Sequence, residues 1–264
     1  MDLTVQAVAG YMAITGFPDS PPVKAGPAVS DFMAGIHLYA AIVTGLLRRE
    51  RTGQGCMVEV AMHDTVYPTL TSNLGAYYDQ GVVLPRTGNR HGGLAIAPYN
   101  TYPASDGWIA IFCAAESHWS ILCQVMGRED LRTDPRLATN TLRAREHMDE
   151  VDSLVGAWTR QYTREALTEM LNKAGVPCGP VLTLDEVADD PNLKHRQMIV
   201  ELDHPTKGRV KVIGCPLKFF TTDGALEIDV SPAPSLGQNT DEVYTSLLGC
   251  TQADLERWRA EGVI

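Results

Sequence analysis

The sequence lacks the marks of several large protein classes. Six cysteines stand at 56, 113, 123, 178, 215 and 250, and no two form a Cys-x-x-Cys pair. In a chain of 264 residues this is not a cysteine-dense scaffold. Free thiols in a reducing, cytoplasmic setting are expected rather than a disulfide framework. Basic residues are scarce: 22 Lys and Arg against 32 Asp and Glu, a net charge of −10. With no basic cluster, neither nucleic acid nor an anionic membrane surface is an expected partner. No uninterrupted run of eighteen apolar residues occurs, so no membrane span is expected. No charged segment followed by an apolar stretch opens the chain, so no signal peptide is expected. The seven histidines form no pair with metal-ligand spacing. A Gly-x-Ser-x-Gly elbow, a Walker lysine loop and a dinucleotide glycine fingerprint are all missing. There is no internal repeat and no low-complexity tract.

What remains is an ordinary globular composition, 44% hydrophobic and 20% charged, with enough chain for a substantial core. Residues 3–15 read as a short apolar helix ending before Gly16. A proline-rich loop, Phe17 to Pro27, leads into the best helical pattern in the chain, from Ser30 or Asp31 to Arg51. Arg48, Arg49 and Arg51 suit the negative end of that helix. Gly53 and Gly55 break it. Met57 to Met62 reads as a strand, and residues 64–78 as a second helix. This order predicts an α/β layer with parallel strands. After Gly88 the texture changes. Tyr99–Pro103 and Trp108–Cys113 predict a hairpin turning at Ser105-Asp106-Gly107. Helices are predicted at 117–126, 143–161 and 163–174, the last stopping at Gly175. Strand-like runs fill 198–220, with Gly208 in a turn. A loop spans Asp223 to Asn239, and Asp241 to Glu261 is helical. The division expected is 1–94 and 196–264 in one large domain, with a smaller α+β domain at 95–195 between them.

Asp31 is the most informative residue for chemistry. It opens a long helix, and Asp is a favoured N-cap whose carboxylate accepts a first-turn N–H. The same place suits a reactive carboxylate. Unpaired N–H groups and a partial positive charge keep it ionised and favour anionic substrates nearby. Position alone leaves both roles open. Gly92-Gly93, after His91, is likewise either a turn or a mobile loop over a reactive intermediate. Thr52-Gly53-Gln54-Gly55 joins a helix to a strand, the reverse of a phosphate loop, and reads as a turn.

Five segments in order carry a resemblance. They are Asp2-Leu3-Thr4-Val5-Gln6-Ala7 with Thr15-Gly16; Ser30-Asp31-Phe32-Met33-Ala34-Gly35; Arg49 to Gly55 with Val58-Glu59-Val60; Ala174 to Val181; and Pro232 to Val243. Together they resemble the CaiB/BaiF (class III) CoA-transferases. The resemblance implies an α/β fold, a partial Rossmann-like large domain with an inserted smaller α+β domain, and an interlocked homodimer. It implies an enzyme that moves CoA between an acyl-CoA and a carboxylic acid. Asp31 would carry the acyl group covalently, and His91, Gly92, Gly93 and Asp2 would serve substrate binding. Coenzyme A would be a substrate, with no tightly bound cofactor and no metal.

The chain departs from the family pattern in three places. The family carries a Rossmann segment ahead of the Asp2 position, so a truncated member, or half of a two-piece protein paired with a longer homologue, is expected. Met1 stands where the transferases usually have Tyr and the related racemases His. Asn239 replaces a common His. The alternatives are an acyl-CoA racemase, for which Glu116 would be an acid/base group but whose His partner is missing, and a non-catalytic subunit.

Overall fold

The computed structural model describes every residue except 227 and 229. The described chain forms two compact units, Met1–Val181 and Leu182–Ile264. Helix and sheet are mixed, and every strand ladder among the described residues is antiparallel.

The first unit opens with α1 (Asp2–Val8) and α2 (Tyr11–Ile14). The single helix expected over 3–15 is split by Gly10 at φ 82, a left-handed value that glycine adopts without a Cβ clash. Next comes α3, 24 residues from Val29 to Thr52, ending at Gly53 with Arg49 and Arg51 in its last turn. Residues 57–61 do not form the expected strand; they run into α4 (Met62–Val66) with no ladder. A strand is fixed by cross-strand hydrogen bonds, and here the apolar run has no neighbouring strand. Pro68 lies in a 3-10 turn, Tyr67–Leu70, which separates α4 from α5 (Thr71–Gln80) where one helix was expected. Proline has no N–H to continue the ladder.

α3 packs chiefly against α4 and α1. Its only buried residue is Ser30. Phe32 is 70% exposed and Ile36 61%, and Tyr39, Ile42, Leu46 and Leu47 are also exposed. By length and composition α3 would suffice to cross a bilayer, although its apolar run is interrupted before eighteen residues.

The rest of the unit closes on itself. β1 (Tyr99–Ala104) and β2 (Gly107–Phe112) form the expected hairpin, and β3 (Cys178–Pro180) adds to the far side of β2. Along β2 the burial alternates, with Ile109 and Ile111 inward and Trp108 and Ala110 outward, the two-residue period of a half-covered sheet. The helices α6 (Glu116–Val125), α7 (Glu129–Thr133), α8 (Asn140–Arg145), α9 (Met148–Thr159) and α10 (Arg164–Ala174) follow. The helix expected over 143–161 is thus two. Three helical stripes face the sheet: Trp119, Leu122 and Cys123; Val151, Val155 and Trp158; Leu167 and Leu171. Their spacings of three, four and seven residues keep each set on one helix face. Thr163 caps α10 through the Ala166 N–H, and Gly175 at φ 83 ends it, as expected.

The second unit holds α11 (Leu184–Ala188), α12 (Pro191–His195), the hairpin β4 (Ile199–His204) with β5 (Gly208–Ile213), and the two-residue pair β6 (Phe220–Thr221) and β7 (Gly224–Ala225). The 198–220 strand region and the Gly208 turn were expected; residues 227 and 229 of the expected 223–239 loop lie outside the described residues. The C-terminal helix is two, α13 (Thr240–Leu248) and α14 (Gln252–Ala260), separated at Gly249. Tyr244 and Trp258 join them edge to face at 5.6 Å.

Candidate functional site

The start of α3 is built by side chains from α1. Val29 is the first helical residue, so Asp31 is the third and not the cap. The capping work falls to Asp2. Its Oδ1 accepts from the Ser30 backbone N–H at 3.0 Å and from Ser30 Oγ at 2.6 Å. Its Oδ2 accepts from Gln6 Nε2 at 2.8 Å. Fully buried Gln6 in turn accepts from the Ala25 N–H at 2.9 Å. The hydrogen bonds from Ser30 and then Gln6 hold the Asp2 carboxyl below its usual range, because they favour the ionised form. Sequence reasoning missed Ser30 and Gln6. Their signal was the i, i+4 spacing of Asp2 and Gln6, which puts both on one helix face.

This arrangement removes the capping reading of Asp31. Its carboxylate is exposed and, among the described residues, accepts no hydrogen bond. It sits in the first turn of a long helix, where backbone N–H groups and the helix dipole favour negative charge. Such a carboxylate is available for nucleophilic attack or for meeting a substrate.

The loop of His91, Gly92 and Gly93 lies elsewhere in the same unit. A Cβ on Gly92 would stand 3.3 Å from Asn73 Oδ1, and one on Gly93 3.9 Å from Ser72 Cβ, so the loop rests on α5. His91 meets Tyr99 edge to face at 5.5 Å. Its Nδ1 accepts from the Gly93 N–H at 3.2 Å and the Ala95 N–H at 3.4 Å. The connector is pinned on both sides. Arg86 donates to the carbonyls of Phe17, Pro18 and Ser20. Arg90 binds Asp149 and Asp152, and Asp152 also accepts from Asn100 at 2.9 Å and Tyr102 Oη at 2.7 Å. Burial opposes the Arg90 charge, but the two carboxylates outweigh it and raise its pKa above the usual value. No hydrogen bond or ion pair among the described residues joins Asp31 to this loop. The structure brings Asp2 to the turn of Asp31 but does not bring His91, Gly92 and Gly93 to it by direct bonding.

Glu116 is committed to a different task. Its Oε2 accepts from Arg143 at 2.7 Å and its Oε1 from the Asn140 N–H at 2.6 Å. Arg143 is fully buried, donates also to the carbonyls of Ala97 (2.8 Å) and Leu137 (2.6 Å), and stacks over Trp119. A buried guanidinium needs its donors satisfied, and Glu116 supplies the counter-charge. Asn239, the other departure noted in the sequence, donates to Glu242 in the first turn of α13. Among the described residues no cluster of His, Cys, Asp or Glu could hold a metal ion.

Comparisons with known proteins bear on the family of the chain. The sequence model of CoA-transferase family III matches residues 1–240. The chain is 36% identical to the succinyl-CoA–D-citramalate CoA-transferase of Chloroflexus aurantiacus, over 98% of this chain and 63% of that one. It is 31% identical to the formyl-CoA:oxalate CoA-transferase of Streptomyces coelicolor, over 100% of this chain and 66% of that one. The crystal structure of a CaiB/BaiF family protein from Brucella suis superposes with a TM-score of 0.74 at 33% identity, covering 93% of this chain and 62% of that one. The chain thus spans a little under two thirds of the length of these relatives. A match over most of its residues, in sequence and in fold, shows that the chain belongs to CoA-transferase family III.

Proposed function

We propose that this chain is the Asp31-bearing part of a CoA-transferase that moves CoA from an acyl-CoA to a carboxylic acid. The observation that carries the proposal is the Asp31 carboxylate, left unbonded because Asp2 takes over the capping of α3. Membership of family III supports it, as do relatives named for succinyl-CoA, citramalate, formyl-CoA and oxalate.

In the proposed reaction an Asp31 oxygen attacks the thioester carbonyl. The C–S bond breaks, leaving a mixed anhydride and the CoA thiolate. The thiolate attacks the Asp31 carbonyl carbon and expels the donor carboxylate, giving an aspartyl-CoA thioester. The acceptor carboxylate then attacks that carbonyl and releases the thiolate again. The thiolate takes the acceptor acyl group from the second anhydride and restores Asp31. Charge balances, and no net proton moves. Splitting one transfer into such steps is the usual gain of covalent catalysis. His91, Gly92 and Gly93 shield the anhydride from water. Asp2 serves the substrate site by holding the turn on which Asp31 sits. Coenzyme A is a substrate, and no tightly bound cofactor takes part.

The wider proposal is a cytoplasmic homodimer, or a complex with a longer homologue. Segments 1–94 and 196–264 would belong to the large domain and 95–195 to the small one. The exposed apolar residues of α3 support association with protein rather than lipid, since Asp31, His37 and Arg48 interrupt that surface.

Hydroxylamine trapping during turnover tests the proposal. It should convert Asp31 to its hydroxamate, visible as a mass shift on the tryptic 25–48 peptide, and Asp31→Ala should abolish exchange. Transfer persisting in Asp31→Ala would overturn the mechanism. α-Proton exchange of a 2-methylacyl-CoA in D₂O at a rate that matches turnover, lost in Glu116→Gln, would favour a racemase instead.

A further inference from the structure

The outer face of the β1–β2–β3 sheet carries a cavity of about 600 Å³ that no step above uses. Its walls include Ile96, Tyr99, Phe112 and His91, and its floor Ala110 and Gly179. The register makes it. Tyr99 faces Phe112 across the hairpin and meets it edge to face at 5.1 Å. Two residues along, on the same face, Thr101 faces Ala110, and Ala110 faces Gly179 on β3. Two aromatic rings thus stand beside a row of small residues, which leaves depth between them. No Asp, Glu, Lys or Arg lines the cavity.

Its polar groups are mostly spoken for. Asn89 donates to Thr101 Oγ1 at 2.6 Å, and Asn100 donates to Asp152 and accepts from the Thr101 N–H. His91 differs. Two backbone N–H groups point at its Nδ1, so Nδ1 is the acceptor nitrogen and the ring proton belongs on Nε2. Nε2 has no partner among the described residues. The cavity wall therefore offers one N–H donor beside an apolar, uncharged hollow.

We propose that this cavity is a subsite for the acyl group: an apolar acyl tail fills the hollow while a carbonyl or carboxylate oxygen accepts from His91 Nε2–H. The proposal rests on the reading that the chain handles acyl-CoA and carboxylic acids, and it names their class as monocarboxylic with an apolar tail, to suit the hollow's uncharged lining. A second carboxylate would be desolvated there with no cation to meet it, so dicarboxylates are disfavoured.

Binding is read without turnover by isothermal titration calorimetry on the full chain. Hexanoate or its methyl ester should bind with a Kd in the millimolar range or below, and succinate and hexylamine at least tenfold more weakly. Ala110→Trp should fill the hollow and abolish hexanoate binding; Thr101→Trp serves the same end should the first variant not fold. The same binding is expected in Asp31→Ala, so this test stands apart from that of the covalent mechanism. Absence of hexanoate binding, or equal binding of succinate, would overturn the proposal.

Discussion

Two regions of the first unit use apolar residues in opposite ways. In residues 97–181 they turn inward: Ile109, Leu122, Val151, Val155, Leu167 and Leu171 are wholly or almost wholly buried. In α3 a comparable set, Phe32, Ile36, Tyr39, Ile42, Leu46 and Leu47, stands in the open. Each large apolar side chain fully buried is worth about 1.5–3 kcal/mol. The lobe thus collects that stabilisation within the chain, while α3 leaves it unclaimed. The contrast teaches that the lobe builds the core of this unit, and that the Asp31 turn is mounted on a helix with an exposed apolar face.

The largest effect should come from alkali, acting on the lobe. Burial pushes the Cys113 thiol up to about 12 and Cys123 to about 11, against a nearby Arg143 that pulls both down. Burial, and then the Asp152 charge, also raise the Tyr102 hydroxyl well above its ordinary value. These groups hold their protons more firmly folded than unfolded. The stability they contribute is whole below the unfolded thiol value of 9.0 and drains away as pH rises toward about 12. Urea midpoints followed by Trp119 and Trp158 fluorescence should fall steeply over that range.

Next in size is Arg143→Ala. It removes the charge partner of Glu116 and strands the Ala97 and Leu137 carbonyls. A loss of about 2–5 kcal/mol is expected in chemical denaturation, chiefly from the two carbonyls left without donors, since Glu116 is half-exposed. Leu171→Ala should cost about 2–5 kcal/mol through the cavity it leaves. Ser30→Ala should cost only about 1 kcal/mol, the worth of one hydrogen bond. It should also lower acyl exchange, since it loosens the turn that carries Asp31. The smallest change in stability should follow Ile36→Ser on α3, within about 0.5 kcal/mol for an exposed site. Light scattering should nevertheless show a smaller assembly. A large loss of stability in Ile36→Ser, or none in Leu171→Ala, would break the comparison.

Much of the lobe was legible beforehand. The hairpin at 99–112 and the stop at Gly175 follow from local rules: alternation, turn residues, and a glycine needed at positive φ. Membership of the CoA-transferase family was also legible, from five motifs in order. The strand expected at 57–62 and the continuous helices at 3–15, 64–78, 143–161 and 241–261 were not. Periodicity reports which face is apolar. It does not report whether a neighbouring strand exists, or where Gly10, Pro68 or Gly249 tips the chain out of a helix.

For the candidate site the division is sharper. The sequence determined that an aspartate stands in the first turn of a long helix, because that depends on residues within one helical turn of each other. It determined that residues 99–103 and 108–113 form a hairpin, but not the register, in which Gly107 pairs with Ala104 and Tyr99 with Phe112. Only the tertiary structure decided that Asp31 is not the cap. That role went to Asp2, 28 residues from its partner Ser30, and no local rule reaches so far along a chain. Glu116 was likewise claimed by Arg143, 27 residues away. A carboxylate's chemistry depends on which donors reach it, and those donors are brought by folding rather than by neighbouring sequence.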